Sequence, residues 1–227
     1  MFAQDVKKIV PVNNDYESIF LSRRCVRALD STYVVPQEEI EQIIKEAMIA
    51  TPTAVDSNPY KLLVVNTPEG KKRLDDIMAP VDKSRVLQAS FVIVPLADRN
   101  WIDYYDDILA ANEAGCKPWH EFFQSVGIKE LASTWYEMLT VNGTALLDKS
   151  VNFQAGLISM SLMFAARAHG LDTGFMDAWL PEQDLDKAFP GIDKERYVAQ
   201  GVIAFGKAAG PGHDCYRKDI ADAVEFF

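Results

Sequence analysis

Apolar residues recur at helical spacing in two long stretches of the chain. The first begins after Pro36, ends at Thr51-Pro52, and carries its apolar residues on one face: Ile40, Ile43, Ile44, Ala47 and Met48. The second spans residues 151–169, with Gly170 as its expected C-terminal cap, and has an apolar face of Phe153, Leu157, Met160, Phe164 and Ala168. Apolar residues also fill much of the remaining circumference, which predicts a central helix buried on most sides.

Four shorter apolar runs predict strands at residues 61–65, 90–97, 172–176 and 197–205. Pro95 cannot donate a ladder hydrogen bond, so it predicts an edge position or a bulge in the second strand. Helical patterns lie between these runs. Among them are residues 98–147, whose many aromatic rings predict a helical excursion with its own small core, and residues 180–189. The mixture favours an α+β fold in which helices pack on a small mixed, mostly antiparallel sheet. No repeat or linker interrupts it, so we expect residues 1–227 to form one domain.

Composition narrows the possible partners. The 227 residues are 48% hydrophobic and carry a formal net charge of −10, which disfavours a broad nucleic-acid or anionic-membrane surface. The cysteines at positions 25, 116 and 215 and the three histidines are scattered, so neither a disulfide framework nor a metal site is expected. The N-terminus lacks the pattern of a secretory signal, and the most apolar run is too short and interrupted to span a membrane. We therefore expect a cytoplasmic protein.

Two local features carry candidate chemistry. Arg23, Arg24 and Arg27 place three guanidinium groups within five positions, a density suited to phosphate or carboxylate. Taken alone, such a run is better explained as a solvated helix end, because short charged runs are common. The loop at residues 51–60, rich in proline, small and Asx residues, leads into a strand and offers free backbone N–H groups. No P-loop, dinucleotide-binding or nucleophile-elbow motif is present. A chain without such a motif can still be an enzyme if a bound cofactor carries the chemistry.

Four segments, in this order, resemble the nitroreductase (flavin reductase) superfamily over nearly the whole chain: residues 23–27, 52–60, 162–174, and 216–218 with 224–226. The resemblance implies a homodimer that binds FMN at the subunit interface and lays its C-terminal arm on the partner. It also implies ping-pong transfer of electrons from NADPH or NADH, through FMN, to a nitroaromatic, quinone or related flat aromatic acceptor. The resemblance implies no metal, no nucleic-acid partner and no membrane partner.

The same resemblance assigns roles to individual residues. Arg23 and Arg217 are expected at the FMN phosphate, with Arg24 and Cys25 beside them. Arg27 and Arg85 are expected at the pyrimidine edge of the flavin. The other expected flavin contacts are Pro52, Thr53 and Ala54 from the other subunit, then Asp56, Asp82, Phe175, Met176, Asp177 and Ala178, the last two through backbone N–H groups near N5.

Several residues depart from the family pattern. Cys25 stands in place of serine, Asp56 in place of asparagine, Asn58 in place of glutamine, and Tyr60 in place of tryptophan; Asp82 occupies a position often filled by asparagine or glutamine. Cys25 also fits a semi-buried filler, and Asp56 an Asx turn within its own loop. Carboxylates near a flavin that becomes anionic on reduction would alter its potential. A specialised branch of the fold therefore stays open (a dehalogenase, an activated-alkene reductase or a flavin-consuming enzyme), as does a non-catalytic flavin-binding or sensing protein.

Overall fold

Helices cover both faces of an antiparallel sheet in the computed structural model, which describes residues 12–115, 127–177, 184–212 and 215–227. The strands are β1 (Tyr60–Val65), β2 (Phe91–Asp98), β3 (Asp172–Met176), β4 (Tyr197–Ala199) and β5 (Val202–Gly206). The α-helices are α1 (Gln37–Ala50), α2 (Pro68–Ile77), α3 (Arg85–Gln88), α4 (Tyr105–Gly115), α5 (Ile128–Thr140), α6 (Ala145–Ala168), α7 (Leu185–Ala188) and α8 (Ile220–Ala223). A π-helical turn at Glu17–Leu21 and 3-10 turns at Ala54–Asp56 and Trp101–Tyr104 complete the described elements.

The sheet runs in the order β1-β2-β5-β3, and β4 pairs with β2 beyond the end of β5. The predicted single strand at residues 197–205 is therefore wrong: it breaks into β4 and β5 at Gln200 and Gly201, where Gly201 has φ of 115°. Of the two positions predicted for Pro95, the edge is wrong, because β2 is fully buried and paired on both sides. The irregularity lies in the neighbouring chain, where the register shifts by one residue between the Ile93–Ile203 and Leu96–Ala199 pairs. The carbonyl of Pro95 accepts from the N–H of Gln200 at 2.9 Å, so its donor-less nitrogen faces the break between β4 and β5.

Alternating strand residues build two cores, one on each face of the sheet. Val92, Val94, Val202 and Ala204 pack on one face with residues of α2, α3 and α7. Phe91, Ile93, Ile203 and Phe205 pack on the other with residues of α1 and α6. The sheet thus lies between helices, as the α+β prediction requires. A third core, formed by Trp101, Tyr105, Ala132, Leu139, Leu147 and Val151, joins the aromatic segment to the start of α6. This confirms the expected helical core for the described part of residues 98–147.

Helix α6 buries a different face from the one expected. The side chains turned to the cores are those of Val151, Gln154, Ala155, Ile158, Ser159, Leu162 and Ala166. The expected face is only partly buried: Leu157, Met160, Phe164 and Ala168 are half-buried, and Phe153 is 69% exposed. The C-terminal cap is as predicted: Gly170 has φ of 70°, and the N–H of Leu171 donates to the carbonyl of Ala166 at 2.8 Å. Among the described residues, no helix has the length and apolarity needed to cross a bilayer.

Candidate functional site

The arginine motif is tied to β3 through its backbone. The N–H of Val26 donates to the carbonyl of Thr173 at 2.8 Å, and Cys25 forms a parallel bridge with Thr173. The thiol of Cys25 donates to the carbonyl of Phe175 at 3.5 Å, although the residue is exposed. Gly174 makes this approach possible, because a Cβ at that position would lie 2.4 Å from the carbonyl oxygen of Val26. The motif is therefore an added strand-like segment and not a solvated helix end.

Two of the predicted arginines meet at one pocket on the α2–α3 side of the sheet. Arg27 and Arg85 line it together with Val26, Leu29, Gly174, Met176 and Ala204. Val26 and Leu29 are buried, whereas Arg27 and Ala28 between them are exposed. Within the described residues, neither Arg23 nor Arg27 makes an ion pair. A flat anionic edge placed here would thus meet two planar guanidinium groups from separate elements.

Arg85 reaches the pocket from the first position of α3, and two buried carboxylates hold the loop that precedes this helix. Its Nη1 donates to Oδ1 of Asp82 at 2.7 Å, and Asp82 is only 5% exposed. The loop turns through Ser84, whose φ is 69°, and the N–H of Ser84 donates to Oδ1 of the buried Asp75 at 2.7 Å. Asp82 thus pairs with Arg85, and Arg85 meets Arg27 and Met176 at the pocket.

The loop at residues 51–60 is fixed by side chains from two helices. The N–H of Ala54 donates to Oε1 of Gln154 at 2.7 Å, and the hydroxyl of Tyr105 donates to the carbonyl of Val55 at 3.1 Å. Val55, Asp56 and Asn58 have φ of 49°, 53° and 43°, and such conformations cost about 1–3 kcal/mol each for non-glycine residues. The surrounding contacts must therefore hold the loop in this shape.

Asp56 does not form the Asx turn considered for it. The N–H of Asn58 donates to the hydroxyl of Thr53 at 3.2 Å, and the Asn58 amide donates to the carbonyl of Asp56 at 2.6 Å. Partial burial raises the pKa of the Asp56 carboxyl. Burial, and secondarily the charge of Asp56, raises the pKa of Tyr105 to about 12. The Asp56 carboxylate thus lies near Tyr105 on the helical side of the loop.

The remaining predicted residues lie apart from the pocket or outside the described residues. Within one chain, no hydrogen bond or ion pair of the described residues joins Pro52, Thr53 or Ala54 to the pocket. Arg217 is exposed and donates to the carbonyl of Tyr216 at 2.8 Å, while Arg24 donates to the carbonyls of Leu21 and Arg23. The chain passes Arg24 just before this arm, since a Cβ on Gly212 would lie 3.5 Å from that side chain. Phe175 is half-buried, Asp177 is exposed, and Ala178 lies outside the described residues.

Sequence reasoning missed two positioning residues, Gln154 and Tyr105. Gln154 is 5% exposed on the buried face of α6. In the sequence, the signal for it is a polar residue within an apolar helical pattern, because a buried polar side chain needs a hydrogen-bond partner. Tyr105 lies among many aromatic residues, and nothing in the sequence distinguishes it from them. Among the described residues, no group of histidine, cysteine and carboxylate side chains could hold a metal ion.

Comparisons with known proteins agree with the family that the sequence motifs resemble. The model of the Nitroreductase family matches residues 21–127. YdgI of Bacillus subtilis (strain 168), which is named as an NAD(P)H nitroreductase, is 35% identical over 216 residues, covering 94% of this chain and 98% of that protein. The CLA biosynthesis enone reductase of Lactiplantibacillus plantarum is 25% identical over 222 residues, 95% of each chain. The solved structure of a nitroreductase in complex with FMN from Exiguobacterium sibiricum 255-15 has a TM-score of 0.83 and 28% identity, covering 94% of this chain and 98% of the other. The sequence motifs, the fold and 35% identity over nearly the whole chain all indicate the same family, so this chain belongs to the nitroreductase family.

Proposed function

We propose that this protein is an FMN-dependent oxidoreductase that takes electrons from NADPH or NADH and passes them to a flat small molecule such as a nitroaromatic or a quinone. The names of its relatives support both cofactors, since one relative is named for NAD(P)H and a neighbouring structure contains FMN. Bound FMN would supply the reversible acceptance of a hydride, and the protein would bind it, orient it and tune its charge.

The observation that carries this proposal is the meeting of Arg27 and Arg85 at one pocket beside β3. Reduction places negative charge on the pyrimidine end of a flavin, so guanidinium groups held there stabilise the reduced form more than the oxidised form. Arg27 is held by the backbone bond of Val26 to β3, and Arg85 by its ion pair with Asp82. The backbone beside Arg27 and the guanidinium of Arg85 are therefore fixed before any ligand binds.

Arg23 and Arg217 are proposed to bind the FMN phosphate. Arg23 is half-buried without an ion pair among the described residues, and Arg217 is exposed on the C-terminal arm. A terminal phosphomonoester suits two such groups, because each can donate charge-assisted hydrogen bonds to it. Loss of one such contact should weaken FMN binding by about 10–100-fold.

We further propose a homodimer in which each site uses both chains. The outward face of α6 carries Leu146, 53% exposed, and Phe153, 69% exposed. Beside it, Phe20 stacks on Phe164 at 4.9 Å between ring centroids, and Phe20 is 48% exposed. The C-terminal arm is equally apolar and uncovered, with Phe226 91% exposed. Apolar faces of this extent are typical of obligate interfaces, and two-fold dimers are the commonest oligomers.

The test begins with the purified protein. We expect a yellow protein that releases FMN on heating, bleaches under anaerobic NADPH or NADH, and regains colour when an acceptor is added. Arg23→Ala and Arg217→Ala should weaken FMN binding about 10–100-fold, whereas Arg73→Ala, on the exposed side of α2, should not. A protein that takes up no FMN would overturn the proposal. A protein that binds FMN but is not reduced would instead be a binding or sensing protein.

Reduction of an activated alkene is the second candidate, because the enone reductase relative aligns over 95% of both chains. The two candidates differ in the acceptor and not in the flavin site. Initial rates with a nitroaromatic, a quinone and an α,β-unsaturated ketone, each at varied NADPH, would separate them. Parallel lines in the double-reciprocal plots would support the ping-pong scheme, and intersecting lines would contradict it.

A further inference from the structure

Asp82 places a buried carboxylate directly against one of the two cations of the pocket. We propose that Asp82 positions Arg85 and neutralises its charge, so that Arg27 supplies the uncompensated positive charge and the bound flavin has a lowered reduction potential. Asp82 is thus a positioning residue, and a neutral side chain at this position would leave the pocket more positive. This inference rests on the proposed function, because it concerns the flavin that the site binds.

The geometry of the pair supports a fixed partnership. Asp82 and Arg85 are three residues apart, their side chains are 7% and 21% exposed, and Oδ1 lies 2.7 Å from Nη1. The backbone closes around them, since the N–H of Asp82 donates to the carbonyl of Ala79 at 2.9 Å and that of Arg85 to the carbonyl of Asp82 at 3.3 Å. Ser84, with φ of 69°, makes the turn between them. The pair is therefore held by the fold and does not depend on a ligand.

Hydrogen bonds to α2 and to the arginine motif also anchor the turn at Ser84 and the helix that follows it. The N–H of Ser84 donates to the buried Asp75 at 2.7 Å on one side. On the other side, the Gln88 side chain accepts from the N–H of Leu29 at 3.4 Å, which links α3 to the arginine motif. Movement of Arg85 toward a ligand would break its pair with Asp82 and leave a buried carboxylate without its partner, which is unfavourable.

The charges at the pocket follow from these contacts. Arg85 and Asp82 together contribute nearly no net charge, whereas Arg27 is exposed and makes no ion pair within the described part of the chain. Screening by salt acts weakly on a buried pair. Reduced flavin is therefore stabilised by about one positive charge and not two, so it is the stronger reductant. Acceptors that are harder to reduce then come within its range.

The test compares midpoint potentials of FMN-loaded variants by equilibration with redox dyes. Asp82→Asn keeps the shape of the side chain and removes its charge. We expect the ratio of the dissociation constants for oxidised and reduced FMN to rise about tenfold, which corresponds to a potential about 30 mV more positive for two electrons. The matched control is Asp76→Asn, which removes a carboxylate that is 57% exposed on α2 and should leave the potential unchanged.

A double variant keeps the test decisive if Asp82→Asn does not fold. Asp82→Asn with Arg85→Gln removes both charges together, so no buried charge loses its partner. We expect the wild-type potential in this double variant and a lower potential in Arg27→Gln. A double variant whose potential falls as far as that of Arg27→Gln would show that Arg85 is not neutralised. FMN bound with an unchanged potential in Asp82→Asn would overturn this inference alone, whereas a wild-type protein that binds no FMN would overturn the proposed function as well.

Discussion

Gly174→Ala should separate the arginine motif from β3. The added Cβ would lie 2.4 Å from the carbonyl oxygen of Val26, and ordinary contacts begin near 3.4 Å, so the two segments must part by about 1 Å. The clashing atom belongs to the backbone and cannot rotate away. The segment is also held by the bond from the N–H of Val26 to the carbonyl of Thr173, which the separation would stretch from 2.8 Å.

The size of the effect follows from these two contacts. Overpacking at a buried site costs about 1–3 kcal/mol, and a weakened backbone hydrogen bond adds about 1 kcal/mol. We therefore expect the free energy of unfolding of the apoprotein to fall by roughly 2–4 kcal/mol. FMN binding should weaken about 10–100-fold, because Arg23, the proposed phosphate contact, belongs to the segment that moves.

Urea unfolding of the apoprotein and titration of FMN by its fluorescence measure the two effects separately. Gly210→Ala is the control, because a Cβ there meets no atom within 4 Å. It should change neither quantity appreciably. Wild-type stability together with wild-type FMN affinity in Gly174→Ala would refute the reasoning, since it would mean that the close approach of the two segments does not exist.

Three further predictions concern the pocket, the loop and the interface. Arg27→Ala should slow reduction of bound FMN by NADPH about tenfold or more while affecting FMN affinity less; stopped-flow reduction at saturating FMN checks this, and an unaltered rate would contradict it. Burial raises the pKa of Asp56, so its charged form is disfavoured in the folded chain. Asp56→Asn should therefore raise the free energy of unfolding at neutral pH, and urea titrations should show that gain vanishing as the pH falls below about 3.9, where the carboxyl is protonated in both states. At an FMN concentration too low to saturate either variant, Arg23→Ala and Ala54→Pro chains refolded together should be more active than either alone, because mixed dimers contain one intact site. Verified heterodimers with no gain in activity would exclude shared sites.

Local patterns in the sequence were sufficient for much of the fold. Helix α1, strand β3 and the cap at Gly170 occur where the sequence predicts them, because each depends on nearby residues, on side-chain periodicity or on a left-handed turn. Four short motifs in the right order also indicate the family, and two of the residues that this resemblance singles out for one site, Arg27 and Arg85, line one pocket. Those residue types point to an anionic ligand wherever the chain brings them together.

The tertiary structure decided what local patterns leave open. An apolar pattern shows that α6 has more than one apolar face, but only the positions of α1 and β2 determine that Ile158 is buried and Phe153 is exposed. Likewise, the sequence places Asp82 near the flavin position, yet its pairing with Arg85 depends on how the loop between α2 and α3 folds back. Gln154 reaches Ala54 across 100 residues of chain. Contacts of this kind are set by packing between distant segments, and no window along the sequence contains both partners.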